Sequence, residues 1–319
     1  MTARSTRRTT AAQSRLAAVG AIVVTGALIL TGCGDQTKDK NKPSGSDSAN
    51  AAPLADKLPA QIREKGVIRV GSDIAYAPVE FKDKSGTVVG LDPDVAAALG
   101  KQLGVTFEFE NGTFDALLTG IRSNRYDVAM SAMTDNKSRQ EGVDPSTGKK
   151  VGEGVDFVDY LSAGVSIYTS KGDTKGINGW SDLCGKKIAL ERGTISEDLA
   201  KAEAKKCPSG KKLTIEPFDD DQLAQTRLRS GGVDAVSSDF PVAAYAVKTS
   251  GGGNDFEIVG PQVQAAPYGI AVAKGNTQLR DALQAAVNAI IKNGEYEKIL
   301  EKWGVQSGAV TESVVNGGK

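Results

Sequence analysis

The sequence contains no histidine among its 319 residues. That absence excludes Ser-His-Asp and Cys-His relays, which need an imidazole to take the proton and return it. It also removes the usual companion of cysteine in zinc sites. With only three cysteines the chain is a poor metal-ligand set, so no metal, no cofactor and no catalytic residue is assigned. No Gly-x-x-x-x-Gly-Lys-Ser/Thr run occurs, so the chain lacks that loop for cradling nucleotide phosphates. The apolar stretch from Leu16 to Leu30 is shorter than the ~20 residues a spanning helix needs. Positive charge is not in excess either: 39 basic residues face 39 acidic ones, and Arg4, Arg7, Arg8 and Arg15 are the only charges before residue 34. Without those four the balance is mildly acidic, which argues against a nucleic-acid partner.

What is present begins with an export signal. An arginine-bearing start, an apolar stretch and then Leu30-Thr31-Gly32-Cys33 fit a cleaved leader over residues 1–33. The last four residues resemble a bacterial lipoprotein signal, cut before a cysteine that becomes the lipid-bearing N-terminus. The alternative is an ordinary signal peptide with an incidental Cys33. The Arg7-Arg8 pair leaves the twin-arginine route open beside general secretion. Residues 34–60 are rich in Lys, Asp, Asn, Ser, Pro and Gly and are expected to be a flexible tether. Together these features describe an extracytoplasmic protein hung from the outer face of the cell membrane, touching it through the lipid anchor alone. Export permits a disulfide, and with Cys33 lipidated the remaining count is even, so Cys184 and Cys207 are expected to pair; two free buried thiols are the alternative.

A phrase recurs in the body. Ile121-Arg122-Ser123-Asn124-Arg125-Tyr126-Asp127-Val128-Ala129 is matched by Leu228-Arg229-Ser230-Gly231-Gly232-Val233-Asp234-Ala235-Val236. Each reads as a helix end, a polar turn and a short apolar strand opened by Asp. Two such units imply an α/β fold of two similar lobes with a cleft between them, lined by residues just after the strands. Asp92-Pro93 reads as a helix N-cap and first turn. Residues 141–155 read as a polar loop. Leu279, Leu283, Ala286, Val287 and Ile290 form the apolar stripe of a helix over Thr277–Lys292. Tyr268–Ala273 reads as a strand returning to the first lobe, which makes that lobe discontinuous and the hinge two-stranded.

The ordered set Val67-Ile68-Arg69-Val70-Gly71-Ser72-Asp73, Gly90-Leu91-Asp92-Pro93-Asp94, Tyr126-Asp127-Val128-Ala129-Met130-Ser131-Ala132-Met133-Thr134 with Arg139, Gly193-Thr194, and Gly294-Glu295-Tyr296-Glu297-Lys298 resembles the extracellular solute-binding proteins of bacterial ABC importers, in the polar amino acid family (family 3). The resemblance covers roughly residues 61–305 and departs only in the longer loop after Arg139. It implies a periplasmic-binding-protein-like fold (type II), with lobe 1 at 61–167 plus 264–307, lobe 2 at 168–263 and a frayed tail at 308–319.

The family's residue roles carry over position by position. Arg139 is implied to hold the ligand's α-carboxylate, with Thr134, the adjoining Ala132 and the Thr194 helix start beside it; an Arg fork suits a carboxylate better than Lys does. Asp239 is implied to hold the α-ammonium, although it could equally cap the helix opening at Pro241. Tyr76 and Phe114 are implied to sandwich the ligand side chain; rim exposure and core packing are the bland readings. Asp73 and Glu191 would favour a cationic or amide side chain and repel an acidic one, unless the adjacent Arg192 neutralises Glu191. The implied partners are a small amino acid and the permease subunits of an ABC importer, with the binding protein a monomer. A dehydratase-like exported enzyme and a ligand sensor module are the rival readings.

Overall fold

The structure, a computed structural model, describes residues 52–319; the leader, Cys33 and most of the tether lie outside the described residues. The strands are β1 (Val67–Ser72), β2 (Ala75–Tyr76), β3 (Glu80–Lys82), β4 (Val88–Val89), β5 (Thr106–Asn111), β6 (Val128–Ala129), β7 (Val155–Ser170), β8 (Lys187–Glu191), β9 (Thr214–Phe218), β10 (Ala235–Asp239) and β11 (Phe256–Ala273). The helices are α1 (Ala60–Lys65), α2 (Leu91–Leu103), α3 (Leu117–Arg122), α4 (Lys137–Glu141), α5 (Ile195–Ala204), α6 (Asp221–Arg229), α7 (Phe240–Thr249), α8 (Thr277–Lys292) and α9 (Glu295–Trp303).

Eight strands form one sheet in the order β5-β1-β6-β11-β7-β10-β8-β9, and β2-β3-β4 form a small second sheet. β5, β1 and β6 are parallel, as are β10, β8 and β9. Between these groups β7 and β11 run antiparallel from Val155 opposite Ala273 to Ser170 opposite Phe256. Apolar burial divides the same way. Ile68, Leu99, Leu283 and Ile290 belong to one core, with Leu117, Ile121 and Phe157 beside it. Ile188, Leu190, Leu228 and Phe256 belong to others. The molecule is therefore two-lobed, and β7 and β11 pass between the lobes. The parallel strands β1, β6, β8 and β10 end at Ser72, Ala129, Glu191 and Asp239, where open α/β sheets place their ligands.

The repeated phrase has one physical role in both lobes. Asp127 N donates to Arg69 O (3.0 Å) and Arg69 N donates back to the Asp127 carboxylate (2.8 Å). Asp234 and Lys187 repeat the pattern at 2.9 and 2.8 Å. Each Asp, just before its own strand, thus satisfies an amide of the neighbouring parallel strand that the ladder leaves free. The α8 stripe read from the sequence is buried throughout.

Three expectations are corrected. Asp92 is not an N-cap: α2 starts at Leu91 after Gly90, where φ is 143° and a side chain would collide with Val79. Asp92 turns inward and accepts from the Tyr160 hydroxyl (2.6 Å) and Ala132 N (3.3 Å), because a buried phenol needs an acceptor more than an exposed helix end does. The tether does not extend to residue 60: Leu58 joins the core and Leu54 N donates to Gln102 O at 2.8 Å. The polar loop read over 141–155 lies where expected, between the end of α4 at Glu141 and the start of β7 at Val155. The tail does not fray. Val315 bridges Val158, Asn316 Oδ1 accepts from Phe157 N (2.8 Å) and its Nδ2 donates to Asp156 (3.0 Å). In lobe 1 these residues cover a β7 edge whose polar groups would otherwise be unpaired.

Cys184 and Cys207 are disulfide-bonded, with Cα atoms 5.3 Å apart. By loop-closure entropy, the Cys184→Ser/Cys207→Ser variant is expected to lose about 3 kcal/mol of unfolding free energy. Urea denaturation checks it; an unchanged midpoint would mean the cross-link constrains nothing in the unfolded chain.

Candidate ligand-binding site

A nearly closed cavity of about 10 Å³ is lined from lobe 1 by Tyr76, Phe114, Ala132, Thr134 and Arg139, and from lobe 2 by Glu191, Thr194, Ile195 and Asp239. That is room for about one water, so the lobes stand nearly shut and must part to admit a ligand. Eight of the nine positions singled out in the sequence line it. Asp73, the ninth, borders an adjoining hollow with Asn111, Asp219 and Asp220. A larger groove of about 240 Å³ near Pro78, Tyr245 and Trp303 has no acidic residue in its walls and offers nothing to a cation.

At one end stands Arg139, in the short helix α4. Asn136 caps α4, its Oδ1 accepting from Arg139 N at 2.9 Å. The guanidinium donates to Thr134 O (2.8 Å) and, across the cleft, to Gly193 O (3.1 Å). Its carbon lies 5.1 Å from the centre of the Phe114 ring. These contacts use only part of the five-donor fork and aim the rest. Burial lowers the Arg139 pKa while Asp198, Asp239 and Asp135 oppose that; a guanidinium remains charged regardless. Thr194 caps α5 and its hydroxyl donates to Glu191 O at 2.7 Å. Ala132 is held at φ 45°, a left-handed conformation that non-glycine residues rarely adopt, and its N–H is turned onto Asp92.

At the other end stands Asp239, the last residue of β10. Its backbone N–H donates to the Tyr76 hydroxyl at 3.0 Å, a second bond across the cleft. It occupies the cap position of α7 yet makes no side-chain cap bond, so its carboxylate is left for the cavity. Burial pushes that carboxyl up to about 7, against the Tyr268 and Tyr76 hydroxyls and Arg139, which pull it down.

Acid accumulates beyond. Glu191 and Asp73 are buried, and each keeps one carboxyl oxygen without a partner. Burial, then the neighbouring charges of Asp73 and Asp221, holds Glu191 well above the carboxylate range. Burial pushes Asp73 up to about 6, although contact with Glu191 opposes it. Asp221, also pushed to about 6 by burial, is held by Ser238 and Gln225, both at 2.6 Å. Arg192 does not neutralise Glu191. It lies exposed, 3.5 Å from Asp219 and 4.0 Å from Asp115.

Sequence reasoning missed four contributors. Asp221 sits in an Asp219-Asp220-Asp221 run that signals only a helix start. Tyr268, Asp198 and the Gly193 carbonyl carry no local signal; they reach the site through the pairing of β11, the pitch of α5 and the turn after β8.

The profile described as bacterial extracellular solute-binding proteins, family 3, matches residues 68–306. The chain belongs to this family. Among the other solute-binding proteins, the arginine-binding protein ArgT of Corynebacterium glutamicum is 29% identical over 285 residues, covering 88% of each chain. An ancestral arginine-binding protein solved with arginine is 36% identical with a TM-score of 0.67, covering 75% of this chain and 98% of that one. An ancestral amino acid-binding protein described as a precursor of cyclohexadienyl dehydratase is 34% identical with a TM-score of 0.64, covering 76% and 97%. As a family 3 member, this solute-binding protein is extracytoplasmic and binds a small solute.

Proposed function

We propose that the chain captures a cationic amino acid, arginine or a close analogue, and delivers it to the permease of an ABC importer. The carrying observation is the imbalance inside the cleft: Glu191, Asp73, Asp221 and Asp239 crowd one end, while Arg139, at the other, is the one cation in the cavity lining. A buried acid cluster is costly unless a cation is brought to it. A guanidinium or ammonium side chain supplies one and an acidic side chain worsens the repulsion. Arg139, with Thr134, Ala132 and Thr194, takes the α-carboxylate; Asp239 takes the α-ammonium; Tyr76 and Phe114 flank the side chain; Asp73 and Glu191 select its charge. The binding partners named for the relatives support this reading.

Capture works by closure. Lobe 1 (61–167 and 264–307) and lobe 2 (168–263) each carry half of the contacts, so a ligand favours the shut arrangement, the only one that makes both sets. The protein acts as a monomer anchored through a lipid on Cys33. Calorimetry over the common amino acids plus ornithine tests the ligand class: arginine, lysine or ornithine should bind most tightly, and preference for glutamate would defeat the proposal. The dehydratase-precursor relative keeps an enzyme in view; we read the chain as a binder that makes no change to its ligand, and recovery of altered amino acid after incubation would reverse that.

Binding should also be linked to pH. A cationic ligand needs ionised carboxylates, and Asp239 and Asp73 are raised to about 7 and about 6 chiefly by burial. Each carboxyl protonated at a given pH must release its proton when the cation binds. Affinity should therefore fall as pH drops from 8 to 5, by up to about tenfold per pH unit for each linked proton. Titrations at three pH values check it; a constant Kd would mean these carboxyls do not meet the ligand.

A further inference from the structure

The last residues of the chain lie beyond the part matched by the family, which ends at residue 306, and they end beneath the turn that presents Arg139. Gly318 N donates to Asp135 Oδ2 at 2.7 Å. Gln140 Nε2 donates to Asp135 Oδ1 at 2.7 Å and to Gly318 O at 3.2 Å. Asp135 just before α4 and Gln140 within it flank Arg139 in the sequence, and Asp135 is wholly buried. Gly317 N donates to Asp159 at 3.1 Å. Further back, Ser313 N donates to Asn288 Oδ1 at 2.8 Å and Ser313 O accepts from Gln284 at 3.0 Å, which ties the tail to α8. Gly318 has no room for a side chain: an added Cβ would collide with the Asp135 carbonyl.

We infer that residues 313–319 are a strap that holds the Thr134–Glu141 turn, and with it Arg139, in the orientation that receives the ligand's carboxylate. The inference rests on the role proposed above for Arg139. Asp135 N is fixed independently by Pro267 O at 2.8 Å, so one end of the turn is anchored to β11. The other end is anchored through Gln140, whose amide bridges Asp135 and Gly318. Without the tail, Asp135 keeps a buried carboxylate oxygen with no donor, a cost the turn relieves by rotating the carboxylate toward water. That rotation moves α4. The tail residues are positioning residues: they touch the turn and not the ligand.

Hydrogen–deuterium exchange reads this without any ligand. The chain ending at residue 312 and the Gly318→Val variant are compared with the full chain. Amides of residues 134–142 should exchange about tenfold faster in both, while those of 187–239 stay unchanged, since local opening reports the loss of local restraints. Unchanged exchange over 134–142 overturns the inference. Affinity supplies the functional readout, using arginine and agmatine, the same side chain without the carboxylate. The arginine Kd should rise about tenfold in both variants and that of agmatine less than about twofold, the loss expected when one charge-assisted contact is misaimed. Glu312→Ala, an exposed position in the same tail, should behave as the full chain. An equal loss for both compounds would mean the tail gives general stability alone, which also overturns the inference. If the full chain binds no arginine, the ligand proposal falls while the exchange result still judges the strap; if truncation unfolds the protein, Gly318→Val decides.

Discussion

Arg139→Ala is expected to weaken amino acid binding more than a hundredfold with the fold intact. Truncating one partner of a buried, hydrogen-bonded charge pair costs ~2–5 kcal/mol, and each ~1.4 kcal/mol is tenfold in affinity. Arg139 has a second reason to matter, because its Nη2 donates across the cleft to Gly193 O and so contributes to closure as well as to capture. Most of its anchoring is local, to Asn136 and Thr134, so its removal disturbs no core. Arg139→Lys should recover little, since a point charge cannot reproduce the fork. Asp239→Ala should cost a similar factor through the ammonium end. Calorimetry with circular dichroism separates binding from folding. Near-normal affinity in Arg139→Ala would remove the carboxylate assignment.

The second large effect concerns charge selection. Glu191→Gln combined with Asp73→Asn should lower arginine affinity by about two orders of magnitude and leave glutamine binding equal or stronger. The wild-type cluster holds both carboxyls far from water with partnerless oxygens, a poor arrangement that only a cation relieves. Amides of the same shape need no cation and can donate to the acids that remain. The unliganded variant should also be the more stable at neutral pH. A carboxyl whose folded pKa lies above its unfolded one loses stability as pH rises from the unfolded value to the folded one. For Asp73, raised chiefly by burial to about 6, that loss is complete near neutrality. Amide substitution removes it, so the variant's thermal midpoint should exceed the wild type's at pH 7.5 and match it near pH 4. If arginine affinity survives the double substitution, the acids do not select the side chain.

Much of the scaffold was legible because it depends on short-range pattern. The stripe on α8 has one packing solution, an apolar face against the sheet. Asp127 and Asp234 recur because the place where one parallel strand joins another leaves a free amide that a carboxylate just before the joining strand can satisfy, and the same problem arises once in each lobe. Asp92 shows the limit. Its sequence context is that of a cap, but the buried hydroxyl of Tyr160 lies 68 positions away and cannot be anticipated from neighbours. The tail misled for a related reason. Its glycines and small polar residues suit a mobile end, and the β7 edge, α8 and the Asp135 turn that hold them lie far away in the chain.

The sequence by itself determined that two similar α/β units face each other, and which residues terminate their strands, because hydrophobic period and turn chemistry act within a few residues. Only the tertiary structure decided that Arg192 turns away from Glu191 while Asp221 turns in, and that the chain's last glycines seat beneath Arg139. Those outcomes depend on which buried charge finds a partner and which does not, a balance set by groups far apart in the chain and brought together by packing.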